Sequence, residues 1–136
     1  MNLPEISERL RTQDNRATAD PMFCVQIKVR DCGYDATWVD NLCWRDDTLD
    51  EETRYDDDPG FVEPMDLKWE RTGYVDRWET VMVAFTERGA REYLELDGHN
   101  VRARAFRGEV QIYAESFRRC PEMLAIRTAL LAGGAL

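Results

Sequence analysis

Alternating apolar and polar residues predict a β-strand near the start of the chain. In residues 22–30 (MFCVQIKVR), Phe, Val, Ile and Val occupy one face, and Cys, Gln, Lys and Arg occupy the other. This period of two is typical of a strand with one buried face. Gly33 lies in the next stretch and predicts a turn over 31–37. A second strand is predicted over 38–44 (WVDNLCW), because aromatic residues favour half-buried pleated positions.

Further strands are predicted over 67–85 and 110–114. Residues 67–85 could form one long bent strand or two strands that meet near Thr72 and Gly73, and we expect two. The second half of this stretch is rich in Tyr, Trp, Val and Thr, which favour strands. Residues 110–114 (VQIYA) follow a turn signal and predict the last strand.

Three helices are predicted from their start and stop signals. A short helix spans Pro4–Thr12, with proline at its first position and apolar residues spaced by four. Thr86 is a suitable N-cap for a second helix, which we expect to end at Gly98 in a left-handed turn. Pro121 opens the final helix.

Together these elements predict an α+β fold. The expected architecture is a mostly antiparallel sheet of four or five strands, with two main helices packed on one face and a short N-terminal helix. The length of 136 residues is within the range of one domain. We therefore expect a single domain over 1–136, with an acidic inserted loop at 46–66.

The acidic insertion changes the picture because it accounts for the charge of the whole chain. The formal net charge is -9, and residues 46–66 contain ten carboxylates against Arg54 alone. Two interpretations are open: a solvated loop, or a surface that mimics nucleic-acid phosphates and occupies a basic groove on another protein. On the second interpretation, the partner-binding residues are Asp46, Asp47, Asp50, Glu51, Glu52, Asp56, Asp57 and Asp58.

The sequence contains few of the residues and motifs that enzymes use for catalysis. His99 is the single histidine, and no glycine-rich nucleotide cradle occurs, so we expect no enzyme, catalytic residue or cofactor. A metal at Asp40, Asp76 and Glu79 is a weaker hypothesis, and it requires these side chains to converge. Direct nucleic-acid binding is disfavoured by the pI of about 4.6. Buried reduced thiols are expected at Cys24, Cys32, Cys43 and Cys120.

A small polar pocket is the alternative to a binding surface. His99 and Asn100 directly follow the predicted helix end, where they could lie beside Tyr113 and Arg118. Such a pocket would bind or sequester a small ligand. The simpler interpretation is that His99 and Asn100 satisfy carbonyl groups at the helix terminus.

Targeting signals are not evident. No apolar run approaches the roughly 18 residues of a membrane span, and the first residues (MNLPEISERLR) lack the order of a signal peptide. We therefore expect a cytoplasmic protein without membrane contacts.

Three ordered motifs carry a resemblance to a known family. They are TQDNRATADPMFCV at 12–25, TGYVDRWETVMVAFTERGAREYLELDGHN at 72–100 and VQIYAESFRR at 110–119. These motifs resemble a widespread family of small uncharacterised proteins encoded by tailed phages and prophages. The resemblance, which extends over residues 12–25 and 72–119, covers roughly half of the chain. It implies a viral accessory protein in the bacterial cytoplasm but carries over no catalytic residue.

Charge and resemblance together give the functional expectation. We expect an accessory protein that binds and inhibits a host macromolecule through its acidic surface. The expected partner is a host protein, for example a nucleic-acid-binding component of bacterial defence, so that the chain would act like an anti-CRISPR protein.

Overall fold

The computed structural model of the protein describes residues 1–46 and 52–133. Its elements, in chain order, are α1 (Leu3–Thr12), β1 (Pro21–Tyr34), β2 (Leu42–Asp46), β3 (Thr53–Tyr55), β4 (Trp69–Ala84), α2 (Glu87–Arg104), a 3-10 turn (Phe106–Gly108), β5 (Val110–Ser116) and α3 (Pro121–Leu131).

The described strands form one five-stranded antiparallel sheet in the order β3-β2-β4-β1-β5. Together with the three helices, this sheet confirms the predicted α+β fold class. The chain divides into two compact units. Unit 1 comprises Met1–Lys28 and Trp78–Leu136, and unit 2 comprises Val29–Arg77.

Unit 1 is organised around the paired strands β1 and β5. The register runs antiparallel from Pro21 opposite Ser116 to Ile27 opposite Val110, which confirms both predicted strands. Phe23, Val25 and Ile27 of β1 are buried, but Cys24 and Gln26 on the opposite face are buried as well, so the expectation of a single buried face is wrong over 23–27. A buried hydrogen bond connects helices α1 and α3: the Ser7 hydroxyl donates to the carbonyl of Leu130 at 2.6 Å.

Helix α2 begins where the sequence predicts but ends six residues later than expected. The Thr86 hydroxyl accepts a 3.0 Å hydrogen bond from the Gly89 amide, as an N-cap does. The predicted end at Gly98 is wrong, because α2 continues to Arg104. Val101, three residues beyond Gly98, is 1% exposed, and its burial on the same helix face outweighs the modest cost of an internal glycine.

Strand β4 passes without interruption through Gly73, so the prediction of two strands is wrong. A Cβ atom at Gly73 would lie 2.1 Å from Cγ2 of Val39 and 3.3 Å from the Tyr34 carbonyl oxygen. Glycine therefore permits a close approach of neighbouring chain within unit 2, and it does not break the strand.

Two other boundaries in unit 2 differ from the prediction. Strand β1 continues to Tyr34 and includes Gly33, which has a φ of +95°. Strand β2 begins at Leu42, whereas Trp38 lies in a turn with 83% of its surface exposed. The predicted strand over 38–44 is therefore correct only in its second half.

Candidate functional site

The centre of unit 2 is the arginine Arg30, whose side chain is only 1% exposed. Its guanidinium donates two hydrogen bonds to Asp76, at 2.7 and 2.9 Å, and two to Asp57, at 2.8 and 2.9 Å. It also lies 4.7 Å from the ring centroid of Tyr55 and 4.0 Å from that of Tyr74. Two paired carboxylates and two aromatic faces thus share one buried cation.

The electrostatic balance at Arg30 favours the charged form. Burial alone would lower the pKa of Arg30, but the hydrogen bonds to Asp76 and Asp57 outweigh burial and raise this pKa. The charged guanidinium of Arg30 on β1 therefore binds both Asp57, a residue of the acidic insertion, and Asp76 of β4. The two tyrosine rings also contact each other edge to face, with centroids 5.2 Å apart.

A second arginine, Arg71, binds the neighbouring aspartate, Asp56. Arg71 of β4 forms a two-pronged ion pair with Asp56, in which one N–O distance is 2.7 Å. The Arg71 guanidinium also lies 4.7 Å from the ring centroid of Trp44 on β2. Because Trp44 and Arg71 are opposite each other in the β2–β4 register, the sheet itself places the cation beside the ring.

The third residue of the aspartate triplet fixes the backbone. An Asp58 carboxylate oxygen accepts a 2.9 Å hydrogen bond from the Tyr55 amide, and the Phe61 amide donates to the Asp58 carbonyl at 3.0 Å. Gly60 between them has a φ of +71°, which suits glycine in a tight turn. The turn after β3 is therefore held by its own aspartate.

The two ends of the insertion are joined to the sheet by buried groups. Asp46, at the end of β2, is fully buried, and its carboxylate lies 3.2 Å from the ammonium group of Lys68. Trp69 is 8% exposed, and its ring is covered by Arg54, whose guanidinium carbon lies 4.5 Å from the ring centroid. The segment 59–67 is thus preceded by Asp58, which is bonded to the Tyr55 amide, and followed by Lys68 and Trp69, which are held against buried groups.

Between these anchors, three large apolar side chains point into solvent. Val62 is 74% exposed, Met65 is 98% exposed and Leu67 is 100% exposed. Residues 61–65 have no regular secondary structure, and a bend and turn follow before β4. A cavity of about 250 Å³ is lined by Arg54 and residues 58–62. We call residues 61–67 (FVEPMDL) the apolar-acidic segment.

The structure places the predicted acidic residues in different roles. Asp46 is buried beside Lys68, and Asp56, Asp57 and Asp58 are bonded within unit 2, as described above. Glu52 is exposed and lies 3.4 Å from Arg54. The remaining predicted residues, Asp47, Asp50 and Glu51, lie outside the described residues. Strand β3 occupies 53–55, so the insertion contains a strand that the sequence did not predict.

The predicted polar pocket around His99 depends on a helix end at Gly98, but α2 continues past this residue. His99 and Asn100 are exposed residues within α2, and the Asn100 side chain donates a 2.7 Å hydrogen bond to Asp97. Tyr113 is 52% exposed on β5, and Arg118 is exposed beyond that strand. No contact between the two pairs is found among the hydrogen bonds and ion pairs of the described residues.

The described residues contain neither a metal-binding cluster nor a disulfide bond. Within residues 1–46 and 52–133, no group of three or more His, Cys, Asp or Glu side chains could hold a metal ion. Asp76, one member of the hypothetical metal set, is instead bonded to Arg30. All four cysteines are free, and Cys24 and Cys43 are buried. Burial, reinforced by the neighbouring Cys32 thiol, raises the pKa of Cys43 to about 11.

Sequence reasoning missed the basic and apolar residues that define this site. The alternating pattern places Arg30 only on the polar face of β1, and nothing local in the sequence indicates its burial. Arg71 and Lys68 also received no role. The exposure of Val62, Met65 and Leu67 has no local signal, because an apolar residue in a sequence is equally compatible with burial.

Comparisons with known proteins give no relative. No family model, curated protein or solved structure matches this chain. Across the part of the chain that the structure describes, no helix is both long and apolar enough to cross a membrane.

Proposed function

We propose that this chain is a phage-encoded accessory protein that binds a basic surface of a host protein through unit 2. One observation carries the proposal: the whole net charge belongs to one unit. Unit 2 has fifteen acidic and six basic residues, a net charge of -9, whereas unit 1 has twelve of each. An acidic unit attached to a neutral one favours association with a positively charged partner.

The contacts inside unit 2 support binding by a fixed surface. Arg30 and Arg71 hold Asp57 and Asp56 in place, and Asp58 holds its own turn. A surface whose backbone is already ordered loses less conformational freedom on binding. These aspartates therefore position the acidic surface, and we assign direct partner contact to exposed carboxylates such as Glu52, Glu63 and Asp66.

The partner class follows from charge and from the family resemblance. Basic surfaces bordering a groove are common on proteins that bind nucleic acids, and an acidic surface can compete for them. Together with the resemblance to phage proteins, this favours a nucleic-acid-binding component of bacterial defence in the host cytoplasm. Inhibition would result from occupation of its basic groove.

The test compares charge removal in the two units. The whole chain is expressed in host cells with an affinity tag, and the host proteins that it retains are quantified. Three versions are compared: the wild type, a unit 2 variant with Glu63→Gln and Asp66→Asn, and a unit 1 variant with Glu95→Gln and Glu122→Gln. All four residues are exposed. We expect a host protein that is lost from the unit 2 variant and at high salt, but retained by the unit 1 variant, since exposed charges are screened by salt. Equal retention by both variants at all salt concentrations would refute the proposal.

A further inference from the structure

We infer that the apolar-acidic segment, residues 61–67, is the part of unit 2 that inserts into the partner. In this inference, which rests on the proposed function, Val62, Met65 and Leu67 enter an apolar cleft on a protein, and Lys or Arg side chains border that cleft. The segment is thus the specificity element, and the surrounding carboxylates attract the partner.

The exposure of this segment is the first argument. Single exposed apolar residues are normal on protein surfaces, but three within six positions, exposed by 74%, 98% and 100%, form a concentrated apolar group. Interfaces use such protruding side chains as anchors in pockets of the partner. Leu96 on α2 is also 83% exposed, yet it stands alone among charged neighbours and serves as a reference.

The second argument is that acidic residues lie between the apolar ones, and this defines the chemistry of the partner's cleft. Glu63 and Asp66 lie between the apolar positions and are exposed. A cleft that accepts the apolar side chains must therefore accommodate two nearby carboxylates. Basic side chains at its border would complement them, whereas an acidic border would repel the segment. Pro64 lacks an amide hydrogen and so disfavours pairing of the segment as an added β-strand.

The third argument is the anchoring on both sides. Before the segment, Asp58 fixes the turn through the Phe61 amide at 3.0 Å. After it, Lys68 lies 3.2 Å from buried Asp46, and Trp69 is buried. A short segment with both ends fixed presents its side chains in a limited set of conformations, and this reduces the entropic cost of binding.

Other occupants fit less well. A second copy of the chain that docked through its own unit 2 would bring two units of net charge -9 together, and like charges oppose such an interface. Anionic lipid and nucleic-acid surfaces repel the segment for the same reason. A basic protein with an apolar cleft satisfies both the exposed side chains and the charge.

Site-specific photo-crosslinking in host cells tests the inference. The photoreactive residue p-benzoylphenylalanine replaces Met65, Leu67, Trp38 or Leu96 in the full chain, one position at a time. We expect positions 65 and 67 to crosslink to one host protein, at a peptide whose apolar residues are flanked by Lys or Arg, and position 96 to give no such product. Mass spectrometry of the product identifies the protein and the attachment site.

The possible outcomes separate this inference from the proposed function. Crosslinks from Trp38 without crosslinks from positions 65 and 67 would refute the segment as the contact but retain unit 2 as the binding unit. If no position in unit 2 crosslinks to a host protein, both fail. A product joining two copies of the chain, or a partner site lacking basic residues, would also refute the inference.

A paired variant adds a quantitative test. Met65→Ser with Leu67→Ser should reduce capture of the crosslinked partner at least about tenfold, because both anchors are lost. Leu96→Ser should leave capture unchanged. Urea unfolding midpoints of both variants should match the wild type, since these side chains are exposed. Unchanged capture by the Met65 and Leu67 variant would contradict the inference.

Discussion

Unit 1 and unit 2 are stabilised by different means. Of the thirteen buried apolar residues that the structure describes, ten belong to unit 1 and three to unit 2. Unit 2 instead carries the net charge of -9 and surrounds the buried Arg30 with carboxylates and tyrosines. A small apolar core combined with many acidic residues makes each buried cation important.

The comparison shows that similar ion pairs have different roles in the two units. Arg9 in unit 1 also binds a carboxylate through two hydrogen bonds, at 2.9 and 2.7 Å to Glu92. The Arg9 side chain is 16% exposed and that of Arg30 only 1% exposed. The Arg9 pair lies on a unit with an apolar core, whereas the Arg30 cluster is itself part of the core of unit 2.

The largest effect should follow removal of Arg30. Arg30→Met leaves Asp57 and Asp76 without the guanidinium that joins them, and we expect a loss of about 3 kcal/mol in the free energy of unfolding. The estimate is at the low end for buried pairs because the Asp57 side chain is 42% exposed. Urea unfolding measures this loss.

The matched control is Arg77→Met in the same unit. Arg77 lies 2.8 Å from Asp31, but these side chains are 50% and 40% exposed. We therefore expect a loss below about 1 kcal/mol. Similar losses in the two variants would contradict the assignment of Arg30 to the core of unit 2.

A smaller, pH-dependent effect is expected at the unit 1 pair. The hydrogen bond from Arg9 holds the pKa of Glu92 below its ordinary value of 4.5. A lowered carboxyl pKa stabilises the fold above the unfolded-state pKa, and this stabilisation is lost as the pH falls through the lowered folded-state pKa. The urea midpoint of Arg9→Gln should therefore be below that of the wild type at neutral pH.

The two midpoints should converge as the pH falls from the ordinary carboxyl pKa of 4.5 through the lowered pKa of Glu92, because Glu92 is then protonated in both proteins. Urea titrations at several pH values measure the difference between the two proteins, which removes the effects of other acidic groups common to both. A difference that stays constant with pH would show that Arg9 acts through packing and not through its charge.

The smallest effect is a gain in stability at Gly98. Because α2 continues through this residue, Gly98→Ala should raise the free energy of unfolding by about 0.5–1 kcal/mol. The new Cβ would approach Nη1 of Arg102 to 2.5 Å, and this flexible side-chain end can move away. Thermal unfolding measures the gain.

Gly108→Ala is the opposing control. Gly108 has a φ of +67°, so alanine there should lower the free energy of unfolding by about 1 kcal/mol. If Gly98→Ala were destabilising to the same extent, the helix would end near Gly98 in solution.

Local rules account for the elements that were predicted correctly. The alternation from Phe23 to Arg30 and the N-cap at Thr86 depend on neighbouring residues, which the sequence displays directly. The predicted breaks at Gly73 and Gly98 are wrong, because tertiary packing places each glycine inside a regular element. Helix and strand signals thus gave the fold class, and packing determined the boundaries.

The candidate site was less predictable, because it depends on distant pairs. The acidic insertion is visible in the sequence, but Arg30 contacts Asp57 and Asp76 across 27 and 46 positions. No local pattern indicates such pairs. The partner-binding role of the acidic surface and the family resemblance stay predictions until the partner is identified.

The register of β1 with β5 also constrains the order in which the protein can fold during translation. Unit 2 is contiguous, so every residue of Val29–Arg77 is synthesised before the second part of unit 1. Strand β1 pairs with β5, from Pro21 opposite Ser116, and β5 is synthesised only after the whole of unit 2. The acidic unit can therefore form its internal ion pairs while the neutral unit still lacks the strand that completes it.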